Sequence, residues 1–442
     1  RFHGSIADAR LYTRELTQPE IEAAQLGETI AEIAAKKPEQ RTGAELAKLR
    51  LCFLETAAPK KIREAKARME AAQLERDKFD ASLPTVMVMK EEPGLRKTYV
   101  LKRGAYDAHG EEVTAGVPSA LPQLPDDVPK NRLGLARWLV SRQNPLTARV
   151  VVNRYWQMLF GVGLVKTVED FGSQGEWPLN QELLDWLAVE FMDSGWDVKH
   201  ILKTMVMSDT YRQSSKISPE LLQRDPENRL LARGPRFRLP PEMIRDQALY
   251  ASGLLVEKLG GPSVKPYQPA GLWQELGGGD SYVADKGDGL YRRSLYTFWK
   301  RTVAPPEMIN FDSPTRETCT VMETRTNTPL QALTLMDDVT YVEAARKLAE
   351  HALLEAPATP EARIEYAFRR ALARKPRADE EAAVLGMLRH FEVRYEKDPK
   401  AAAALLAEGE SPVNAKLQPS ELAAYTTVAS LLMNLDEMVT KE

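Results

Sequence analysis

Cysteine is almost missing from this chain: Cys52 and Cys319 are the only two in 442 residues. That excludes a disulfide scaffold, an iron–sulfur cluster and a cysteine-based zinc site. No Cys-x-x-Cys-His occurs, so the chain does not itself attach a c-type haem. Histidine is scarce as well. The five present (His3, His109, His200, His351, His390) include no i, i+4 pair and no His-Glu-x-x-His, which argues against a histidine-rich metal centre. No apolar run approaches the ~20 residues that a membrane-spanning helix needs. There is no Walker loop, no Gly-x-Ser-x-Gly and no Gly-x-Gly-x-x-Gly. An excess of either charge is also lacking: Lys plus Arg number 60 against 63 for Asp plus Glu, a net charge of -3. Any electrostatic function must come from local patches.

What is present is a globular balance, 43% hydrophobic and 28% charged, in a length that suits about three domains of ~150 residues. The alternation Phe2-His3-Gly4-Ser5-Ile6-Ala7-Asp8-Ala9-Arg10-Leu11-Tyr12 predicts a strand, and Thr17-Gln18-Pro19-Glu20-Ile21 opens a short helix. Ala47, Leu51, Leu54 and Ala58 step by helical spacing to Pro59. Ile62, Ala65, Met69, Ala72, Arg76, Phe79 and Leu83 continue the seam to Pro84, which predicts an antiparallel helical pair with Lys60, Lys61, Arg63, Glu64, Lys66 and Arg68 on a solvated face. Thr85–Met89 and Thr98–Leu101 predict a β hairpin, and the Gly- and Pro-rich stretch from Gly104 to Pro129 an extended crossing segment. Beyond it helices dominate. Asn131, Thr147 and Asp197 are expected caps, Pro240-Pro241-Glu242 opens a helix running to Gly260, and Thr328-Pro329 starts one long helix through about Leu353. Leu290–Trp299 predicts a strand, with Tyr291, Arg293, Leu295, Thr297 and Trp299 on one side.

Candidate chemistry centres on arginine and tryptophan. Lys130 to Val168 holds seven basic residues and no acid, so the run must meet carboxylates from elsewhere or face an anion. Arg149, Asn153, Trp156 and Phe160 share a helix face, and further arginines cluster at Arg229, Arg233, Arg236 and Arg238 and at Arg292, Arg293 and Arg301. The arginine fork suits carboxylate, sulfate or phosphate; the competing role is neutralising acids within a helical core. All seven tryptophans lie between Trp138 and Trp299. Trp138 and Trp186 read as core, Trp177 and Trp273 as exposed ligand contacts. Arg149, Asn153, Trp177, Arg233, Trp273, Arg292 and Arg293 are therefore the ligand-binding candidates; no catalytic residue and no metal ligand is assigned. Glu169, Asp170 and Glu176, and the loop acids Asp280, Asp285 and Asp288, are the carboxylates that could hydrolyse a glycosidic bond if a pair were held ~5–10 Å apart, a separation that sequence does not supply. The aspartate loop matches no EF-hand spacing and reads as solvated. Asp337 falls on an apolar stripe and is expected to form an internal ion pair. Cys319 reads as a small buried hydrophobe.

Two resemblances follow from these residues. The first 25 resemble the closing strand and trailing helix of laminin-G-like, concanavalin-A-type jelly rolls. From about Pro84 to Glu442 the chain resembles the planctomycete-specific domain of unknown function that accompanies planctomycete cytochrome c domains. The motifs are Asn131-Arg132-Leu133-Gly134-Leu135-Ala136-Arg137-Trp138-Leu139, Asn144-Pro145-Leu146-Thr147-Ala148-Arg149, Val152-Asn153-Arg154-Tyr155-Trp156-Gln157, Tyr291-Arg292-Arg293-Ser294-Leu295-Tyr296 and Arg325-Thr326-Asn327-Thr328-Pro329-Leu330. Asn180-Gln181 and Asp337 depart from its pattern.

The expected fold is mainly α with a small β part (α+β). Its expected parts are a jelly-roll remnant (1–25), a helical hairpin linker (26–83), a β hairpin and crossing segment (84–129) and a helical domain (130–442). The resemblance implies an extracytoplasmic module of a longer polypeptide, cut at its start and complete at its end, with haem only on upstream domains. Its expected role is binding or processing anionic polysaccharide. A non-catalytic scaffold is the alternative, and phosphate or nucleic-acid binding a third that export disfavours. Whether the chain is an enzyme stays open. Neither nucleic acid nor a membrane span is an expected partner.

Overall fold

The computed structural model describes residues 10–12, 15–90, 94, 96–276 and 281–441. It is 53% helical with 5% strand, the mainly α fold with a small β part that the sequence predicts. The chain divides into two compact units, Arg1–Val113 and Thr114–Glu442.

In the first unit, α1 (Gln18–Gln25), α2 (Ile30–Ala35) and α3 (Gly43–Cys52) each begin with a threonine whose partner three residues on is a glutamate. The Thr17, Thr29 and Thr42 amides donate to Glu20, Glu32 and Glu45 at 2.8, 2.6 and 2.6 Å, three capping boxes that satisfy otherwise orphaned helix-start groups. Ile33 is fully buried, and α3 packs on α1 and α2. After the π-turn Phe53–Ala57, α4 (Lys60–Ser82) buries no residue. The predicted seam from Ile62 to Leu83 therefore does not close a helical pair: Met69, Leu74 and Phe79 are exposed. Pairs such as Lys66–Glu70 at 3.5 Å line its surface instead. The predicted strand over Phe2–Ala9 and the turn residues Glu91, Glu92 and Pro93 lie outside the described residues.

Thr85–Met89 forms no strand. The partner of β1 (Thr98–Leu101) is instead β2 (His109–Val113), antiparallel, within the stretch expected to be a crossing segment. The Tyr99 and His109 rings stack at 4.6 Å, a cross-strand contact that helps fix this pairing.

The second unit has two cores. α5 (Arg132–Leu139) starts at the expected cap, with the Gly134 amide donating to Asn131 Oδ1 at 3.0 Å. Trp138 is core as predicted, donating Nε1–H to the Pro122 carbonyl at 2.6 Å. α6 (Thr147–Phe160), α7 (Gln181–Asp193) and α8 (Val198–Val206) bury Val152, Trp156, Leu187, Phe191 and Ile201 together. Trp186 is on the outer side of α7, 52% exposed rather than core. After α9 (Pro219–Arg224), β3 (Phe237–Arg238) leads into α10 (Pro241–Ser252). That helix ends at left-handed Gly253, φ 77°, well before Gly260.

Short helices α11 (Leu272–Leu276), α12 (Asp288–Tyr291) and α13 (Pro306–Asn310) follow. The predicted strand to Trp299 is absent: a 3-10 turn at Ser294–Tyr296 breaks its alternation, so Arg292, Ser294 and Thr297 are all buried. The expected long helix is also two, α14 (Pro329–Asp337) and α15 (Val339–Glu355), because Asp338 leaves the helix to cap α15. With α16 (Pro360–Leu372), α17 (Ala378–Lys397), α18 (Pro399–Leu406) and α19 (Pro419–Met433), α15 builds the larger core. Ala344, Ala345, Ala423 and Ala424 are fully buried there, small side chains that suit close helix packing. α20 (Asp436–Val439) and β4 (Thr440–Lys441), paired with β3, finish the described chain. Cys319 is exposed, not a core hydrophobe.

Candidate functional site

Two cavities in the second unit carry chemistry. The first lies where the loop after α6 returns to α7. Asn153 on α6 is fully buried and holds both sides of Val165: Nδ2 donates to its carbonyl at 3.0 Å and Oδ1 accepts its amide at 2.8 Å. Asn153 is thus a structural clamp. Onward the loop is tied to itself. Glu176 N donates to Thr167 Oγ1 at 2.9 Å and Gly172 N to Asp170 Oδ1 at 2.7 Å. Gly175 has to be glycine, since a Cβ there would lie 2.1 Å from the Asp170 carbonyl oxygen. This knot presents Trp177, 87% exposed.

Trp177 rims a cavity of about 530 Å3, with Arg149, Phe171, Ser173, Gln181 and Leu184 around it. Arg149 donates Nε–H to Asp185 Oδ1 at 2.7 Å and Nη1–H to the Pro145 carbonyl at 2.7 Å. That guanidinium bond holds the Asp185 carboxyl below the usual carboxylate range. Other cations of the basic run also meet acids from elsewhere: Arg142 pairs with Asp193 at 2.6 Å and Lys166 with Glu227 at 2.9 Å.

The remaining predicted residues lie apart from this cavity. Arg233 is buried and donates to the carbonyls of Asp225 and Pro226, both at 2.9 Å. Arg292 is buried, donates to the carbonyls of Lys258 at 2.9 Å and Pro262 at 3.0 Å, and stacks 3.7 Å from the Tyr296 ring centroid. Arg293 pairs with Asp246 at 3.2 Å. Trp273, expected on the surface, is 5% exposed and donates Nε1–H to Gln268 Oε1 at 3.1 Å. Arg149, Arg233 and Arg293 therefore serve three separate places.

The second cavity, about 240 Å3, was not anticipated. Glu307, Asp337 and Asp338 line it with Tyr267, Asn310 and Leu333. Glu307, in the first turn of α13, is 5% exposed, and among the described residues neither carboxylate oxygen accepts a hydrogen bond. Behind it Arg245 Nε lies 3.6 Å from Oε1. The outer nitrogens of Arg245 are already used, Nη1 by the Arg292 carbonyl at 3.0 Å and Nη2 by the Leu290 carbonyl at 2.6 Å. Burial, then repulsion from Asp338, pushes the Glu307 carboxyl up to about 8 despite Arg245. Asp338 is also raised by burial, although its Oδ1 accepts the Thr340 amide at 2.8 Å. Asp337, expected to form an internal ion pair, is exposed; its neighbour Asp338 is half-buried. One signal was visible. Pro-Pro-Glu-Met-Ile occurs twice, from Pro240 and from Pro305, and the second copy carries the buried glutamate. Among the described residues no group of three His, Cys, Asp or Glu side chains is placed to hold a metal ion.

Fold and cavities together define a mainly α-helical domain with one aromatic-rimmed and one acid-lined cavity. Residues 131–388, more than half of the chain, match PSD1, described as a protein of unknown function (DUF1553). The chain belongs to that family. No curated protein and no solved structure matches it.

Proposed function

We propose that the chain is an extracytoplasmic module that binds anionic polysaccharide at the cavity rimmed by Trp177. The observation carrying this reading is the indole itself, held out by a rigid loop over a cavity that also holds Arg149. A flat apolar ring suits the face of a sugar, and an adjacent guanidinium suits its carboxylate or sulfate. Asp185 and the Pro145 carbonyl occupy Nε and Nη1 of Arg149, and among the described residues Nη2 makes no hydrogen bond.

Export, and haem on upstream domains of the same polypeptide, follow from the resemblance to domains that accompany cytochrome c. Among the described residues no helix is long and apolar enough to cross a membrane. A glycan array tests the reading. Sulfated or carboxylated glycans should bind more tightly than neutral ones, and added salt should weaken them. Trp177→Ala should cost about 0.5–1.5 kcal/mol, roughly three- to tenfold in affinity. Neutral sugars bound equally well would remove the arginine from the argument.

A non-catalytic scaffold is the second reading, favoured by the commitment of Arg233, Arg292 and Arg293 to internal partners. An array without a single binder selects it. Phosphate or nucleic acid, the third reading, rested on those same arginines and is not proposed as a partner.

A further inference from the structure

The acid-lined cavity holds a carboxylate without a donor. Burying such a group costs several kcal/mol unless hydrogen bonds or an opposite charge compensate. Inside the protein Glu307 has only Arg245 Nε, at 3.6 Å and beyond hydrogen-bond reach. Asp338, at the break between α14 and α15, adds to the negative potential, and Asp337 lines the same space. The remaining wall is mixed: Pro269, Leu330 and Leu333 are apolar, and Tyr267, Asn310 and Thr334 are polar. At about 240 Å3, the space equals roughly eight waters at ~30 Å3 each, enough for a small organic molecule.

We propose that this cavity binds an organic ammonium group, a protonated primary amine carried on a short apolar or sugar-sized body. An ammonium brings three N–H donors and no acceptor, which complements two unbonded Glu307 oxygens beside the Asp338 carboxylate. Both oxygens are buried, so the Glu307 side chain turns toward the cavity as the amine arrives. A metal ion fits less well, since among the described residues no three acid or histidine side chains are placed to ligate one. The site is separate from the Trp177 cavity and stands or falls independently of the glycan reading.

The charge balance has a measurable consequence. The charges that act on Glu307 are Asp338, at the break between α14 and α15, and Arg245 from α10. Tyr282, from the preceding loop, and Tyr341 on α15 feel the Glu307 charge in turn, and Asp337 lines the same space. In their field the empty site holds Glu307 protonated at pH 7. An arriving ammonium makes the ionised form favourable, so Glu307 gives its proton to buffer as the ion pair forms. Binding should release close to one proton per ligand at pH 7, and less as pH rises past about 8.

The test is calorimetric titration of the full chain with n-butylammonium chloride at pH 7, in phosphate and in MOPS, neither of them a primary amine, whose different ionisation heats report the proton. n-Butanol is the neutral control. Glucosamine and Nα-acetyl-lysinamide, run in parallel, separate an amino sugar from a lysine side chain as the source of the amine. We expect butylammonium to bind with proton release and butanol not to bind. Glu307→Gln should lower affinity at least tenfold and abolish the release. Asp338→Asn, which keeps an oxygen to cap Thr340, should also weaken binding and serves as the second variant if Glu307→Gln does not fold. Equal binding of butanol, binding without proton release, binding unchanged in both variants, or no binding at millimolar amine would each overturn the proposal.

Discussion

Glu343 and Glu307 are both buried glutamates of the second unit, 0% and 5% exposed, yet their surroundings are opposite. Glu343 accepts from Tyr291 Oη at 2.9 Å, Tyr267 Oη at 3.1 Å and the Ser411 amide at 2.6 Å, and faces Arg346 at 3.6 Å. Glu307 accepts no hydrogen bond among the described residues. The difference teaches that burial alone does not mark a site. A buried acid supplied with donors joins segments of the fold; one left without them beside a cavity is open to a partner from outside.

The largest expected effect is on the satisfied side. Glu343→Ala leaves the buried Arg346 with only Glu350 as acid partner and strips three donors of their acceptor. It should cost about 3–5 kcal/mol in urea unfolding. Gly409→Ala should act through the same contact, because its φ is +85° and a Cβ would lie 2.2 Å from Glu343 Cδ. A smaller loss from Glu343→Ala than from Glu307→Ala would break the comparison.

The next effect is a pH dependence of definite sign. The Glu307 carboxyl is raised from 4.5 to about 8, so between those values the folded state holds a proton that the unfolded state has lost. Its contribution is full below 4.5, declines as pH rises to about 8, and is constant above. Denaturant midpoints measured across this window should show that decline in the native chain, and a shallower one in Glu307→Gln.

Glu45 in the first unit sharpens the contrast with the reverse sign. The Lys36 ammonium, and then the Thr42 amide, hold its carboxyl at about 2 against an ordinary 4.5. The stability it adds is present above 4.5 and lost as pH falls through about 2. The protection of the buried Ile33 amide, its exchange rate relative to the intrinsic rate at each pH, should fall across that acid range, and Lys36→Met should reduce the dependence. The smallest effects belong to exposed apolar residues. Phe79→Ala on α4 and Trp177→Ala on its loop should each change unfolding stability by less than ~0.5 kcal/mol, so a binding loss in Trp177→Ala would report on the ligand alone.

Local signals in the sequence carried further than long-range ones. Asn131 and Asp197 cap as expected, because a cap depends on a few neighbouring residues. Thr147 does not, being the first residue of α6, with its amide donating to Asn144 Oδ1. The pairing of Thr98–Leu101 was misassigned because β propensity does not choose a partner; the Tyr99–His109 stack does. The Tyr291–Trp299 segment has strand-like residues, but Arg245 reaches in for the Arg292 carbonyl, a side-chain partner no alternation can reveal. At the sites, Trp177 was legible from its glycine-bounded loop. Trp273 was not, since its burial depends on Tyr282 and Phe298, distant in sequence. Glu307 was hidden for a like reason: the repeated Pro-Pro-Glu-Met-Ile marks two glutamates alike, and which of them is desolvated depends on Arg245 and Asp338, distant in sequence.

The break between α14 and α15 gives the acid cavity a spectroscopic reporter. Asp338 faces that cavity and also caps the Thr340 amide at 2.8 Å, so one carboxylate is shared between a ligand and the first turn of the central helix. A ligand that draws on this carboxylate weakens its hold on Thr340. Occupancy should therefore register as a shifted resonance and a faster deuterium exchange rate at that one amide, while the Ala344 and Leu348 amides, deeper in the same helix, keep time with the protein as a whole.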